Sequence, residues 1–570
     1  MSQGGYTPLG RRDYGSTTSK SNGEEVPKPY THRQKTKRGL SDIQQIGSQS
    51  SENILQPLEV IDPGIWTFRV CLIGLTFMWL TGIGVIVYGA VAQSISDRSE
   101  DGYAPSYVHH KAVVPFVQLA VSFWVTALSD IAGLVHSTSL RFTLLASRKL
   151  TFNSNLRLFT SCPKSRVHWW PINFIWAWSL ISSYACGSMV LVESVYSSAD
   201  SGRDMVSGYA LIFLGFGLLG QASIASWALM VTKIPTWSTN PIHTAKVCQT
   251  QGWLASLSGR TMMSVHDAQH LEEHETPSLP KARQKSLLKA HFRVRRVLVL
   301  VWVVTLLGFL WFAAISIAYQ VGGGPGHLGP TWGSFSRSYT NDWSLIPNWK
   351  DYTAFLGIST SLGQSFYTFG PWLVCKYLLT CAILGGITMN LHVVELLVQC
   401  SRDESLWRET SSTSGLGPRR YGAFSIAFLT WQTMTLFVFK TVIHWIFSLA
   451  FGIYYEGIEI RIPQVCFTAN VLFALALLAT LLALQQPKGP QPATFGHLPT
   501  LVDLIDLWPC RSIEETEQTQ SAAEDGVEGR QDTDMVTLYW GDKGEDQNGI
   551  RRAGTSYTPL GPIVMSALYL

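Results

Sequence analysis

A lysine and a histidine lie inside an apolar stretch of this chain, where an ionisable side chain is costly and needs a partner. Lys440 and His444 are four residues apart, so they share one face of a helix. Two potential cations near the middle of a membrane require a carboxylate, a water-filled cavity or neutral forms. Asp130 or Glu395 can supply the carboxylate, and the combination predicts a proton-coupled or anion-conducting pathway. The alternative interpretation is that the span ends before Lys440, which then only flanks it.

A second polar group lies in another apolar stretch, where Asn390, His392 and Glu395 follow one another closely. His392 and Glu395 are three residues apart, so they can form a hydrogen bond on one helix face. The alternative interpretation is a polar helix interface with a packing notch at Gly385 and Gly386. The intramembrane polar candidates are Asp130, Asn390, His392, Glu395, Lys440 and His444.

Three histidines recur at every fourth residue of a long polar segment, at His266, His270 and His274. On a helix, adjacent pairs of these imidazoles lie one turn apart and can chelate a transition metal. Acidic residues are interleaved with them, so a solvated polar helix is the alternative. No other spacing of histidine, cysteine and carboxylate residues indicates a metal site, and no cofactor is predicted.

The pentapeptide Tyr-Thr-Pro-Leu-Gly occurs twice, once near each end of the chain. Tyr6 and Tyr557 each begin the pattern Tyr-x-x-apolar, which has the form of an adaptor-sorting signal. Thr7 and Thr558 each precede a proline and are candidates for proline-directed phosphorylation. These residues predict a cytosolic adaptor or kinase as a partner, and two unrelated stretches of disordered tail are the alternative.

The composition indicates a membrane protein. Only 14% of the residues are charged and 46% are hydrophobic, whereas a soluble domain carries about 25% charged residues. No phosphate-binding loop, G-x-S-x-G or H-E-x-x-H motif is present, so a soluble enzyme is not predicted. The basic runs lie beside apolar stretches, which topology and anionic lipids explain. The predicted partner is therefore the lipid bilayer, and nucleic acid is not expected.

Apolar helices must position the polar candidates, and the clearest is Val297–Tyr319, which carries no charge. At about 1.5 Å per residue, such a helix crosses a hydrocarbon core of about 30 Å. The pattern recurs and predicts an all-α fold, a polytopic, multi-pass transmembrane helix bundle of about eight spans with disordered cytosolic tails. The predicted spans cover about residues 70–92, 113–135, 172–196, 207–231, 297–319, 371–398, 431–453 and 465–484.

Charge distribution orients these spans. The segments predicted to lie inside carry most of the 43 lysines and arginines, which places both tails in the cytosol of a plasma membrane or endomembrane protein. The predicted regions are a disordered N-terminal tail (1–65), spans one to four (66–231), a basic cytosolic loop (232–296), spans five to eight with an outer loop at 320–369 (297–484), and a C-terminal tail (485–570).

Two segments need separate interpretation. Residues 421–455 are mostly apolar, too long for one untilted span and too short for two. We interpret 421–430 as an interfacial helix that precedes a span at 431–453. The C-terminal tail contains one short amphipathic helix at 500–508, with Thr500 as its predicted N-cap. The acidic residues 511–535 are predicted to be disordered.

Four passages of the sequence are similar to those of a known group of proteins: LRFTLLASRKLTFNSNLRLFT at Leu140–Thr160, PTWSTNPIHTA at Pro235–Ala245, and YWGDKG and GIRRAGTS within Leu538–Ser556. The chain here resembles large, uncharacterised multi-pass membrane proteins of filamentous fungi, which have no assigned activity. The resemblance implies an all-helical membrane protein in a fungal setting. It supplies no substrate and no functional residues.

The sequence thus predicts a membrane protein that binds or moves a solute through its helix bundle, using polar positions on spans two, six and seven. The alternative is a non-transporting receptor or scaffold that acts through its cytosolic tails and long loop. A water-accessible cavity at Lys440, His444 and Asp130 favours the first hypothesis. A closed, apolar bundle favours the second.

Overall fold

The computed structural model describes residues 64–98, 104–105, 113–192, 205–257, 259–268, 277–321, 344–346, 355–359, 371–417, 422–453, 457–508, 537–545 and 549–570. All of them belong to the unit Val60–Leu570. Four predicted site residues, Tyr6, Thr7, His270 and His274, lie outside these ranges. So do residues 1–63 of the predicted N-terminal tail, most of the predicted outer loop 320–369, and the acidic residues 511–535.

Helices dominate the described residues. In chain order they are α1 (Ile65–Ser96), α2 (Val114–Ala146), α3 (Trp170–Ser188), α4 (Gly208–Val231), α5 (Pro241–Thr250), α6 (Val265–Ala268), α7 (Leu287–Ala290), α8 (Val294–Val321), α9 (Pro371–Glu409), α10 (Trp431–Ala450), α11 (Ile462–Leu484) and α12 (Leu498–Leu504). Seven are long and apolar enough to cross a membrane, namely α1, α2, α4, α8, α9, α10 and α11. The chain is an integral membrane protein, and the predicted all-α transmembrane bundle is confirmed.

Helix α3 is not among these seven, since its tryptophan, serine and tyrosine residues make it less apolar. It nevertheless runs the length of the bundle. Three short strands pair in the order β1 (Ala104–Pro105), β3 (Met205–Val206), β2 (Leu191–Val192), so the chain leaves α1 and α3 and enters α4 at one end, the strand end. The predicted third span therefore ends too late, because the helix stops at Ser188 and a strand follows.

A second three-stranded sheet lies at the same end. Its order is β4 (Phe355–Ser359), β6 (Gly457–Arg461), β5 (Phe451–Ile453). Trp445, near the end of α10, donates a hydrogen bond to the carbonyl oxygen of Pro115 at the start of α2, which places both sheets at the strand end. Helix α10 accordingly stops at Ala450, three residues before the predicted end of its span.

The ambiguous stretch 421–455 divides as predicted. Residues Ser425–Leu429 form a single wide helical turn, and Thr430 adopts an extended backbone conformation that ends it. Helix α10 then begins at Trp431. The turn and the span are therefore separate elements joined at one residue.

The helices differ in how much protein surrounds them. In the most apolar part of α9, 72% of the residues are buried, whereas the corresponding value for α8 is 17%. Helix α9 lies at the centre of the bundle and α8 forms part of its outer wall. The most apolar predicted span is thus exposed to lipid along most of its surface, as expected for a span without charged side chains.

A folded cap covers the other end of the bundle. It consists of the described parts of segments 147–169, 232–293, 400–417 and 485–570, and we call these segments the cap. Its own apolar core includes Trp407, Leu501, Trp540 and Tyr569, which come from three distant parts of the chain. The prediction of a disordered C-terminal tail is therefore wrong for the described residues of 485–570, and the described part of the predicted basic loop 232–296 packs into the same cap.

Backbone pairing connects the cap segments. Strands β7 (Tyr539–Glu545) and β8 (Arg551–Ser556) form a hairpin, and Leu416 pairs with Leu538. The predicted helix at 500–508 is α12, which is shorter and begins earlier. Its N-cap is His497, whose side chain accepts a hydrogen bond from the backbone N–H of Thr500, so Thr500 lies within the first turn instead of capping it.

Candidate functional site

An ion pair joins α2 and α10 inside the bundle. Lys440 Nζ lies 2.6 Å from Asp130 Oδ1. The lysine side chain is 3% exposed and that of the aspartate is 27% exposed. Lys440 occupies the middle of α10, so it does not flank the span, and Asp130 supplies one of the two carboxylates that the sequence offered for it.

A second polar contact brings a loop residue onto α9. Arg157 Nη2 lies 3.2 Å from His392 Nδ1, and Glu395 Oε2 lies 3.3 Å from the same nitrogen. A guanidinium can only donate and a carboxylate can only accept, so Nδ1 bonds to Arg157 in one tautomer of the ring and to Glu395 in the other. The predicted contact between His392 and Glu395 is present, and the positive charges of Arg157 and Lys440 also attract the glutamate.

Sequence reasoning missed Arg157, which lies between the second and third predicted spans. Its helical turn, Arg157–Phe159, lies against the bundle, and the guanidinium is 5.9 Å from the centre of the Trp176 ring. A β-carbon at Gly133 would overlap Arg157 Nη1, so the glycine on α2 makes room for this side chain. No local pattern marks such an approach, because it depends on a glycine 24 residues earlier in the chain.

His444 does not join Lys440 in the cavity. Its Nδ1 lies 2.6 Å from the carbonyl oxygen of Lys440, and its Nε2 lies 3.1 Å from Thr388 Oγ1. Because a carbonyl only accepts, Nδ1 carries a proton, and Nε2 shares a hydrogen bond with the threonine hydroxyl. The ring also stacks on Tyr184, with centroids 3.6 Å apart. Both ring nitrogens of His444 are therefore bonded within the helix interface.

Asn390 is also separate from the polar contacts around Lys440. It is 1% exposed, and neither atom of its side-chain amide has a hydrogen-bond partner among the described residues. It is not one of the residues that line the neighbouring cavity. Of the six intramembrane candidates, the structure thus brings Asp130, Lys440, His392 and Glu395 together.

A cavity of about 460 Å³ opens beside these groups. Helices α2, α9 and α10 form its walls, together with the cap residues around Asn153 and the turn before Thr430. Apolar side chains such as Phe123, Leu134 and Phe437 make up the greater part of its surface. Its charged residues are Asp130, Arg141, Arg157, Glu395, Arg402 and Lys440.

Asn153 organises the end of the cavity that is next to the cap. Arg141 Nη1 donates to Asn153 Oδ1 at 3.0 Å, and Arg141 Nη2 donates to the carbonyl oxygen of Ser238 at 2.9 Å. The amide of Asn153 donates in turn to Asp403 Oδ2 at 2.8 Å. Arg402 forms an ion pair with the other oxygen of Asp403 at 3.0 Å. Buried polar groups from α2, α9 and two cap segments therefore form one continuous network.

No family model, no curated protein and no solved structure matches this chain. None of these comparisons tests the resemblance to fungal membrane proteins, which stays a prediction. The structure does bring two of the passages that carry the resemblance into contact, since Arg141 and Asn153 bind backbone oxygens of Ser238 and Thr239.

The predicted metal site is placed only in part. His266 is 4% exposed and lies in α6, whereas His270 and His274 lie outside the described residues. Burial lowers the pKa of His266, and the nearby Lys285 acts in the same direction. Within the described ranges, no group of three histidine, cysteine or acidic residues is placed to hold a metal ion.

The second pentapeptide belongs to the cap. The hydroxyl of Tyr557 donates to the carbonyl oxygen of Trp508 at 2.7 Å, and its ring packs against the core of the cap. The side chain of Thr558 is exposed. A kinase can reach the threonine hydroxyl, whereas an adaptor that needs the tyrosine must first draw it out of the cap.

Proposed function

We propose that this protein binds a solute in the cavity between α2, α9 and α10 and moves it through the helix bundle. The observation that supports this is a cavity of about 460 Å³ that reaches an ion pair halfway along α10. Its volume falls in the range of about 300–1,000 Å³ that is usual for small-molecule sites. Buried charges inside a membrane are costly, and a bundle that serves only as an anchor does not need them.

The proposed orientation follows from charge. The cap segments carry most of the lysines and arginines of the loops, so the positive-inside tendency places the cap and both tails in the cytosol. The cavity then lies between the middle of the membrane and the cytosolic cap. The proposed membrane is the plasma membrane or an endomembrane.

A scaffold or receptor is the second candidate, and the folded cap favours it. An apolar core of its own and a paired hairpin give the cap a defined surface for a cytosolic adaptor or kinase. This function requires neither solvent access to the cavity nor the Lys440–Asp130 pair.

Cysteine accessibility separates the two candidates. Single cysteines at Ala127 and Ala427, which line the cavity, are introduced into a Cys375→Ser background because Cys375 is exposed. Purified full-length protein in sealed liposomes is treated with a membrane-impermeant thiol reagent on either face. Ala185→Cys, fully buried outside the cavity, and Leu80→Cys, 62% exposed on the lipid-facing side of α1, are the controls.

Reaction at both cavity positions, faster than at either control, is the expected result. A binding protein that also moves its solute exposes them to each face in turn, so reagent on either side must label them. Labelling from the cap side alone contradicts movement but not binding. If the cavity cysteines react no faster than Ala185→Cys, the proposal is contradicted and the scaffold or receptor function is favoured.

A further inference from the structure

We propose that the cavity takes an amphipathic organic anion, with one carboxylate or phosphate head held by Arg141 and Arg157 and an apolar body against α2 and α10. This inference rests on the proposed function and names the class of molecule that the same site binds.

The charges around the cavity do not balance. Four cations contribute to its wall, namely Arg141, Arg157, Arg402 and Lys440. Three carboxylates face them, namely Asp130, Glu395 and Asp403. Lys440 is paired with Asp130 and Arg402 with Asp403, while Glu395 lies next to the histidine that Arg157 contacts. One cation is left without a carboxylate, so a single negative charge would complete the site.

Arg141 is that cation. It is 5% exposed, and its two terminal nitrogens are bound to neutral oxygens of Asn153 and Ser238. Its Nε has no hydrogen-bond partner among the described residues, and the same holds for Nε of Arg157, which is 7% exposed. A buried guanidinium with an unused donor is expensive, and an oxyanion is the ligand that matches its geometry.

The remainder of the cavity accounts for the apolar body. Phe123 and Phe437 meet edge to face at 5.5 Å between α2 and α10. Phe123 is 50% exposed and Met434 is 45% exposed on the surface that faces lipid, so the cavity is continuous with the bilayer side of the bundle. A molecule with an anionic head and a hydrocarbon or aromatic body fills both parts. The head can belong to a free organic acid or to an anionic lipid.

Binding of matched probes tests the inference. Full-length protein in neutral phosphatidylcholine nanodiscs is titrated with decanoate, decanol and decyltrimethylammonium, which share an apolar chain and differ in charge. Decanoate is expected to bind at least tenfold more tightly than either of the others, the lower limit for one hydrogen bond to a charged group. Equal or tighter binding of the cation overturns the proposal. A separate experiment tests whether the anion is a lipid. The protein is placed in nanodiscs that contain added phosphatidic acid, and native mass spectrometry shows whether this lipid stays bound.

Variants assign the effect to the arginine. Arg141→Gln is expected to weaken decanoate binding about tenfold or more while leaving decanol unchanged. Arg166→Gln, the same change at an exposed residue that does not line the cavity, is the control and should bind like the unmodified protein. A folded Arg141→Gln protein with unchanged decanoate affinity overturns the proposal.

A cavity-filling variant keeps the test informative if Arg141→Gln does not fold. Ala127→Trp occupies the apolar part of the cavity and leaves the arginines in place. It should abolish binding of decanoate, and retained binding contradicts the proposed location. If cationic or neutral probes bind and Ala127→Trp blocks them, the anion inference fails and the proposed function stands. If no probe binds the unmodified protein, both fail.

Discussion

Among single residues, Lys440 and Asp130 differ in how much each needs its partner to stabilise its charge. Lys440 is almost fully enclosed, whereas more than a quarter of the Asp130 side chain faces the cavity. Removing the lysine leaves a carboxylate that water in the cavity can solvate. Removing the aspartate leaves an enclosed ammonium without its nearest partner.

We therefore expect Asp130→Ala to destabilise the protein more than Lys440→Ala does. Loss of one partner from a buried pair costs about 3–5 kcal/mol in the free energy of unfolding, and Asp130→Ala should approach this value. The double variant Asp130→Leu/Lys440→Met should recover most of the loss, since neither charge then remains. Chemical unfolding in detergent measures the three variants. Lys281→Ala, which breaks the exposed pair with Asp267, is the control and should cost about 1 kcal/mol or less.

Two glycines of the bundle provide a second matched comparison. Gly133→Ala places a methyl group against Arg157 Nη1, and we expect it to displace the guanidinium from His392 at a cost of about 1–3 kcal/mol. Gly386→Ala adds the same methyl group in α9 where nothing lies within 4 Å, and it should stabilise the helix by about 0.5–1 kcal/mol. Thermal unfolding of both variants measures the difference. Equal effects would show that Arg157 does not occupy the space over Gly133.

At the level of elements, the cap depends on histidines that must stay neutral. Phe152 packs between His291 and His497, with ring centroids 4.3 and 4.8 Å away. His291 Nδ1 accepts the backbone N–H of Arg293, and His497 Nδ1 accepts the N–H of Thr500 at the start of α12. Protonation of either ring removes an acceptor that a helix or turn uses.

The cap should consequently weaken as the pH falls. Burial lowers the pKa of both His291 and His497 from 6.5 to about 4. A group whose pKa is lower in the folded state contributes stability that is complete above pH 6.5 and is lost on acidification towards pH 4. The protection factors of α12 in hydrogen exchange, which correct for the pH dependence of the intrinsic exchange rate, should therefore fall over that interval. In His291→Asn/His497→Asn, asparagine keeps an acceptor but does not titrate, so the fall should be much smaller. An unchanged pH profile in this variant contradicts the assignment.

At the scale of the whole molecule, the bundle consists of two halves, α1–α4 and α8–α11. The Lys440–Asp130 pair and the contact of Arg157 with His392 both cross between the halves, and the cavity lies at their boundary. The cap spans the same boundary through Asn153 and Asp403. The site exists only where the halves meet, and neither half contains all of its charged groups.

Fragments that divide the chain between the halves should reassemble. Coexpressed residues 1–272 and 273–570 are expected to copurify, because the helix contacts and the cap join them without the intervening peptide bond. An affinity tag on one fragment measures the yield of the other. The double variant Asn153→Ala/Asp130→Ala removes one polar contact between the halves in the cap and one in the bundle. It should reduce the yield of the copurified fragment several-fold. Failure of the unmodified fragments to copurify would contradict the division into halves.

Sequence alone determined the fold class, the positions of most spans, the break near Thr430 and the presence of charges inside the membrane. These features are recorded locally, because apolar length and the placement of charge follow from neighbouring residues. Only the tertiary structure decided that Arg157 enters the bundle, that His444 remains outside the cavity, and that the polar segments around Trp407 and Tyr569 fold into a cap. Each of these outcomes depends on residues that are distant in the chain, such as Asn153 and Asp403, whose hydrogen bond spans 250 positions. From the sequence alone, a polar segment is predicted to be solvent-exposed, because the distant residues that bury it cannot be identified from its neighbours.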